Sequence, residues 1–368
     1  MVGGTGSAAN PGTSKTSSGP LVHRRAAWYH QLMWEALSPA VARHLSAATG
    51  QPVVVESLEP LYGGACQDNF RLEVKIGPTS RRLVLRSDAA GALPGSLHRG
   101  QEFEVIRAAV AAGVPTPAAH WPARDLVRPG AHAYFLDWRD GVAIGAKVLK
   151  DPNLEEARLQ LPGALASALA KVHQTPIEGL ELPSPPSTPP GGDPVDTALQ
   201  FQAETMRKLP GRRPALAYAL AWLEQNRPAK SERTLVHGDF RVGNFLVDKA
   251  GLSAVLDWEF AHLGSPLEDI AWLCVRDWRF GQLKRGAGGL VPRRTFYSMY
   301  EKAAQRALVS AEVHYWEIVG NLRWAAGALA QGERFRRGEQ DLELLAVARR
   351  ASEMEYEALR LIEAGPAA

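Results

Sequence analysis

The segment Leu235-Val-His-Gly-Asp-Phe-Arg-Val-Gly-Asn-Phe-Leu-Val-Asp248, followed by Ala254-Val-Leu-Asp-Trp-Glu259, leaves few folds open to this chain. Leu235-Val236 is an apolar pair of strand character that delivers His237, Gly238 and Asp239 into a loop. Asn244 follows Asp239 by five residues. Apolar runs then flank Asp248-Lys-Ala-Gly251, which reads as a hairpin whose second strand ends at Asp257. A carboxylate, an amide and a second carboxylate are thereby brought to one place. Phosphoryl transfer from a nucleotide uses such a set: one carboxylate orients the acceptor hydroxyl and takes its proton, while an Asn oxygen and another carboxylate hold Mg²⁺. The bland reading of Asp239 and Asn244 is a structural turn, since both residue types favour turns. Asp257 at hairpin spacing, with Asp269 beyond it, tips the balance toward a site.

The rest of the chain is consistent with two lobes of one unit. At 368 residues it exceeds one ordinary domain. Residues 1–23, rich in Gly, Ser and Thr, read as a disordered tail. Helical signals begin near Arg25, and Ser38-Pro39 reads as a helix start. Strands are expected from Val53, across the alternating Phe70–Ile76, at Leu83–Leu85 and at Ala133–Asp137. A helix over Gln101–Ala112 presents Phe103, Ile106, Ala109 and Val110 on one face. After Gly141 the pattern is mostly helical, broken by a Pro-rich loop at 183–194 and ending in three amphipathic helices. The expected division is a tail at 1–23, a β-rich lobe at 24–140 with a hinge near 137–141, and a helical lobe at 141–368.

Composition narrows the partners. Lys and Arg number 42 against 39 Asp and Glu, a net charge of +3 that argues for neither nucleic acid nor a membrane surface. No apolar run reaches the roughly 18 residues of a membrane span. Two distant cysteines, Cys66 and Cys274, suit neither a zinc cluster nor a disulfide scaffold. A reduced, cytoplasmic setting is expected.

The motifs His-Gly-Asp-x-x-x-x-Asn, Leu-Asp-Trp-Glu and Gly264-Ser-Pro-Leu-Glu-Asp-Ile-Ala-Trp272 resemble the aminoglycoside phosphotransferase and choline kinase-like family. The likeness spans about residues 50–335 and is strongest to the branch related to the kinase domain fused to some acyl-CoA dehydrogenases. It implies an α+β, protein-kinase-like bilobal fold: a small antiparallel sheet lobe and a larger, mainly helical lobe. It also implies ATP and Mg²⁺ as cofactors and a small-molecule kinase activity. Asp239 matches the catalytic base, Asn244 and Asp257 the Mg²⁺ ligands, and His237 and Asp269 the braces of the loop. Arg241 sits where protein kinases keep a charge-neutralising lysine; its alternative is a simple pairing with a neighbouring carboxylate. Gly63 and Gly64 match a phosphate-covering loop. Arg86 stands where a phosphate-binding lysine is usual, with Glu102 as its partner, and the backbone of Asp137 and Trp138 would meet adenine. Arginine is a planar fork and lysine a point charge, so the exchange at position 86 is not conservative.

The acceptor is less constrained. Glu259, Glu268 and Asp277 are interspersed with Arg276, Arg279, Lys284 and Arg285, a mixture that does not select a polycation. A hydroxy acid, free or linked to CoA, is preferred to an aminoglycoside. Trp316 and Trp324, two turns apart, read as core; Trp272 and Trp278, which follow the motif region, are the better candidates for neighbours of the pocket. The competing reading is a catalytically silent, nucleotide-binding regulatory protein of the same fold.

Overall fold

Alternation of apolar and polar residues builds a five-stranded antiparallel sheet of order β1-β2-β3-β5-β4. Its strands are β1 (Val53–Leu61), β2 (Gln67–Ile76), β3 (Thr79–Asp88), β4 (Ala119–Arg124) and β5 (His132–Asp137). The computed structural model describes residues 36–61, 67–91, 93, 95–182, 192–229, 231–339 and 341–366. The expected tail, Gly63, Gly64, Cys66 and most of the Pro-rich loop lie outside these residues.

Each face of the sheet serves a different core. Phe70, Leu72, Val74, Leu83 and Leu85 point to one side, where Leu37, Val41 and Leu45 of helix α1 (36–49) cover them. Val84, Tyr134 and Leu136 point to the other, into the large core shared with α2 (Arg99–Ala111) and the helical part. On α2 the buried side chains are Phe103, Val105, Ile106 and Ala109; Val110 is 37% exposed, contrary to the periodicity reading. Ser38-Pro39 lie inside α1 instead of starting it, because residues 36 and 37 are already helical. Strand β4 escapes the sequence pattern: Pro122 and a left-handed Trp121 (φ 47°) interrupt its alternation, and the register with β5 shifts between His120 and Ala123.

Beyond β5 the regular elements among the described residues are helices and two small sheets. Helices α3 (Gly145–Lys150), α4 (Glu155–His173), α5 (Pro194–Lys208) and α6 (Pro214–Gln225) precede strand β6 (Thr234–Val236). The expected hairpin forms from β7 (Phe245–Asp248) and β8 (Gly251–Val255), but its second strand stops two residues before Asp257, which takes a left-handed backbone; β9 (His262–Gly264) pairs with β6. Helix α7 (Pro266–Leu273) follows, then α8 (Arg293–Ala304), α9 (Ser310–Arg336), α10 (Leu342–Ala348) and α11 (Ala351–Ala364). Four helices, not three, end the chain, because α10 and α11 are separated by only Arg349 and Arg350.

Charge fixes the last helix. The fully buried Glu357 of α11 accepts from Arg279 at 3.0 Å and Arg360 at 2.9 Å. Burial alone would raise its pKa, but these guanidinium groups pull it down to about 2. A depressed carboxylate contributes stability that is present above its unfolded pKa and lost as pH falls through the folded value. Glu357→Gln is therefore expected to cost about 3 kcal/mol at neutral pH. The deficit relative to the parent protein should shrink as pH falls from 4.5 towards 2, as read by denaturant titrations across that range.

Candidate active site

A capping box starts the helix that organises the site. Ser265 Oγ accepts the Leu267 amide, Glu268 Oε1 accepts the Ser265 amide, and Pro266 presets the first turn. Asp269 therefore sits in the first turn of α7, fully buried. Its carboxylate accepts the His237 amide at 2.7 Å and the Gly238 amide at 2.9 Å. His173, at the end of α4, donates from Nε2 to the same carboxylate at 3.3 Å, and its Nδ1 meets the Tyr300 hydroxyl at 2.7 Å. Burial opposes the Asp269 charge, but His173 and the amides outweigh it and hold the pKa below the ordinary value.

His237 supports the loop from inside. The Asp239 amide donates to its Nδ1 at 3.2 Å, so the proton resides on Nε2, which donates to the Leu256 carbonyl at 3.1 Å. Burial lowers its pKa, in keeping with a neutral ring. Gly238 has φ 79°, and a Cβ there would lie 2.1 Å from the Phe260 carbonyl oxygen. Only glycine fits both the conformation and the space.

Asp239 emerges from this support 8% exposed. Trp272 Nε1 donates to Oδ1 at 2.7 Å, Asn244 Nδ2 to Oδ2 at 2.6 Å, and Arg241 Nε to both oxygens at 3.0 and 3.1 Å. A carboxylate offers about four acceptor positions. The three donors make four contacts, two on each oxygen, so an incoming hydroxyl would take the place of one half of the contact that the single Arg241 Nε–H divides between the two oxygens. The Arg241 guanidinium lies 4.5 Å from the Trp278 ring centroid, so the pairing that was its alternative reading is made with Asp239 itself. Trp324 joins Trp272 and Trp278, with ring centroids 6.3 and 4.9 Å away, and is half-buried beside the site instead of a core residue like Trp316.

The hairpin returns Asp257 to Asn244: the Leu256 amide donates to the Asn244 carbonyl at 2.8 Å. Asp257 takes a left-handed backbone (φ 68°), which turns its carboxylate towards the sheet. Arg86 Nη2 reaches both Asp257 Oδ1, at 3.2 Å, and Glu102 Oε1, at 2.9 Å. Burial opposes the Asp257 charge, yet Arg86 and Gln67 hold its pKa below the ordinary value. Glu259 shares Gln67 with it; burial and the neighbouring Asp257 raise Glu259 to about 7. Asn244 commits its amide nitrogen to Asp239, so its carbonyl oxygen is the atom left for a cation. Among the described residues no group of three or more His, Cys, Asp or Glu could hold a metal ion.

At the end of β5, the Asp137 amide donates to Ala118 O and the Trp138 amide to Arg82 O. Neither amide is open to a base. The residues that the sequence reading missed are His173, Tyr300 and Gln67. His173 and Tyr300 follow helical patterns that give no sign of a polar partner, and Gln67 opens β2.

The sequence model described as "Phosphotransferase enzyme family" matches residues 57–306. The mouse protein named "Acyl-CoA dehydrogenase family member 10" is 32% identical over 203 residues, which are 53% of this chain and 18% of that protein. The chain thus spans about a fifth of the length of that relative, and 27% of a probable acyl-CoA dehydrogenase of Arabidopsis thaliana at 29% identity. Among solved structures, a candidate aminoglycoside phosphotransferase from Ralstonia eutropha aligns at TM-score 0.69 and 20% identity, covering 89% of this chain and 99% of that one. An aminoglycoside phosphotransferase bound to AMP-PNP and hygromycin B aligns at TM-score 0.59 and 18% identity, covering 88% and 98%. These likenesses show a kinase-like fold.

Gly238→Ala is expected to destabilise the chain by at least about 1–2 kcal/mol from its left-handed backbone alone. The clash with Phe260 adds to this, and a lowered urea midpoint is the check.

Proposed function

This chain belongs to the phosphotransferase enzyme family, and on that footing we propose that it transfers the γ-phosphate of ATP to a hydroxyl of a small molecule. The observation that carries the reading is the Asp239 carboxylate, fixed by three donors, one of which, Arg241 Nε, is divided between its two oxygens and can yield one of them to a hydroxyl. There it orients the acceptor hydroxyl and takes its proton. Asn244 and Trp272 keep the carboxylate in place while the proton moves. Arg86, held by Glu102, faces the nucleotide phosphates, and Arg241 beside Asp239 offsets charge on the transferred group.

Asn244 and Asp257 present oxygen atoms, the donor type Mg²⁺ takes, and two protein ligands are enough where phosphates complete the shell. When bound, Mg²⁺ would supply charge neutralisation to the phosphates. Asp137 and Trp138 would lie near adenine, with base contacts left to carbonyl oxygens or a neighbouring amide.

For the acceptor we favour a hydroxy acid, free or CoA-linked, over an aminoglycoside. Relatives named as acyl-CoA dehydrogenases point the same way. The acidic groups suited to a polycation are occupied: Asp277 by Arg350 and Trp324, Glu268 by His262, Glu259 by Gln67. We place the reaction in the cytoplasm, where ATP is at hand; among the described residues no helix is long and apolar enough to cross a membrane.

A positioned general base contributes about 10²–10⁴-fold. Asp239→Ala should lose turnover by that factor while nucleotide affinity, measured by calorimetry, stays within about twofold; full phosphotransfer by the variant would refute the role of Asp239. Asp257→Ala should remove the Mg²⁺-dependent part of nucleotide affinity, and an unchanged titration would refute its metal role.

A further inference from the structure

Most arginines near the site have a counter-charge. Arg86 pairs with Glu102, Arg241 with Asp239, Arg279 with Glu357 and Arg350 with Asp277. Arg323 of α9 differs. Its guanidinium lies 4.6 Å from the Trp272 ring centroid and 5.9 Å from that of Phe260. No carboxylate or carbonyl among the described residues pairs with it. Glu268, on the helix that carries Trp272, is taken by His262 and the Ser265 amide.

The indole under Arg323 is the one whose N–H donates to Asp239. Its edge meets the base and its face carries a half-buried, unpaired cation. Gly320, one turn earlier on α9, lets the two helices close around this ring: a Cβ there would lie 3.7 Å from Trp272 and 3.2 Å from Val275. A guanidinium already stacked has less freedom to lose on binding, and its fork matches carboxylate and phosphate oxygens.

We infer that Arg323 is a specificity-determining residue, binding an anionic group on an acceptor whose hydroxyl lies at Asp239. The inference rests on the reading of Asp239 as the base. Hydroxyl and anion are then separated by roughly the span of one indole, which selects small hydroxylated acids or phosphorylated alcohols and disfavours a polycation.

The test is a set of calorimetric titrations of the full chain with 3-hydroxybutyrate, its methyl ester, glycerol 3-phosphate, glycerol and hygromycin B. Parent protein, Arg323→Gln and Arg323→Lys are compared. At least one anion should bind the parent protein about 10–100-fold tighter than its neutral counterpart, the range of a charge-assisted hydrogen bond. Arg323→Gln should erase that preference without altering the neutral compounds, and Arg323→Lys should restore part of it. The anion with the larger loss distinguishes carboxylate from phosphate. No anion preference in the parent protein, a preference that survives Arg323→Gln, or tightest binding of hygromycin B overturns the inference. Binding does not require turnover. Arg323-dependent anion binding without phosphotransfer would contradict the role of Asp239 alone, and phosphotransfer confined to neutral acceptors would contradict the role of Arg323 alone.

Discussion

A buried carboxylate receiving two consecutive backbone amides is the constraint on which the rest of the site depends. Asp269 could not remain charged in the interior without partners, and the His237 and Gly238 amides could not be buried unpaired. Each need satisfies the other, so the loop has one low-energy position. His173 adds a third donor, and Tyr300 fixes the His173 ring. The capping box at Ser265 holds the helix that presents Asp269. The position of Asp239 is thus set by groups on α4, α7 and α8 that lie behind the loop, not by Asp239 itself.

A second set of interactions joins the sheet to this loop. Arg86 on β3 reaches Glu102 on α2 and Asp257 at the hairpin end. Gln67 on β2 spans Asp257 and Glu259, and the Leu97 amide donates to the Glu259 carbonyl at 2.6 Å. Glu102 is fully buried between Arg86 and Arg99, and these two guanidinium groups supply the counter-charge that its burial requires. The sheet and the helical part meet through charged groups, the same ones that the proposed function assigns to the nucleotide phosphates and Mg²⁺.

How far the sequence revealed this depended on the range of each interaction. His237, Asp239, Asn244 and the hairpin to Asp257 lie within 21 residues of one another, and local spacing suffices to bring them together. The sheet strands were legible for the same reason, since alternation is a local signal; β4 was not, because Pro122 and the left-handed Trp121 break it. Of the partners distant in sequence, Asp269 and Glu102 were found through the family resemblance, and those outside its motifs left no trace. Nothing around Trp272 indicates that its N–H meets Asp239, 33 positions away, or that Arg323 stacks on its face. Trp324 looked like core because helical spacing reports which face is buried and not what shares it. That the amides of Asp137 and Trp138 are taken by Ala118 and Arg82, leaving other backbone groups for a base, could not be read from the sequence.

The central claim is that the Asp269-braced loop performs phosphoryl transfer. Its most direct measurement is a ³¹P NMR time course of the parent protein with ATP, Mg²⁺ and a hydroxylated acceptor. The account predicts that a phosphomonoester resonance grows as ATP is converted to ADP, and that omitting the acceptor removes it. ATP left intact across the acceptors, with the nucleotide demonstrably bound, would contradict it.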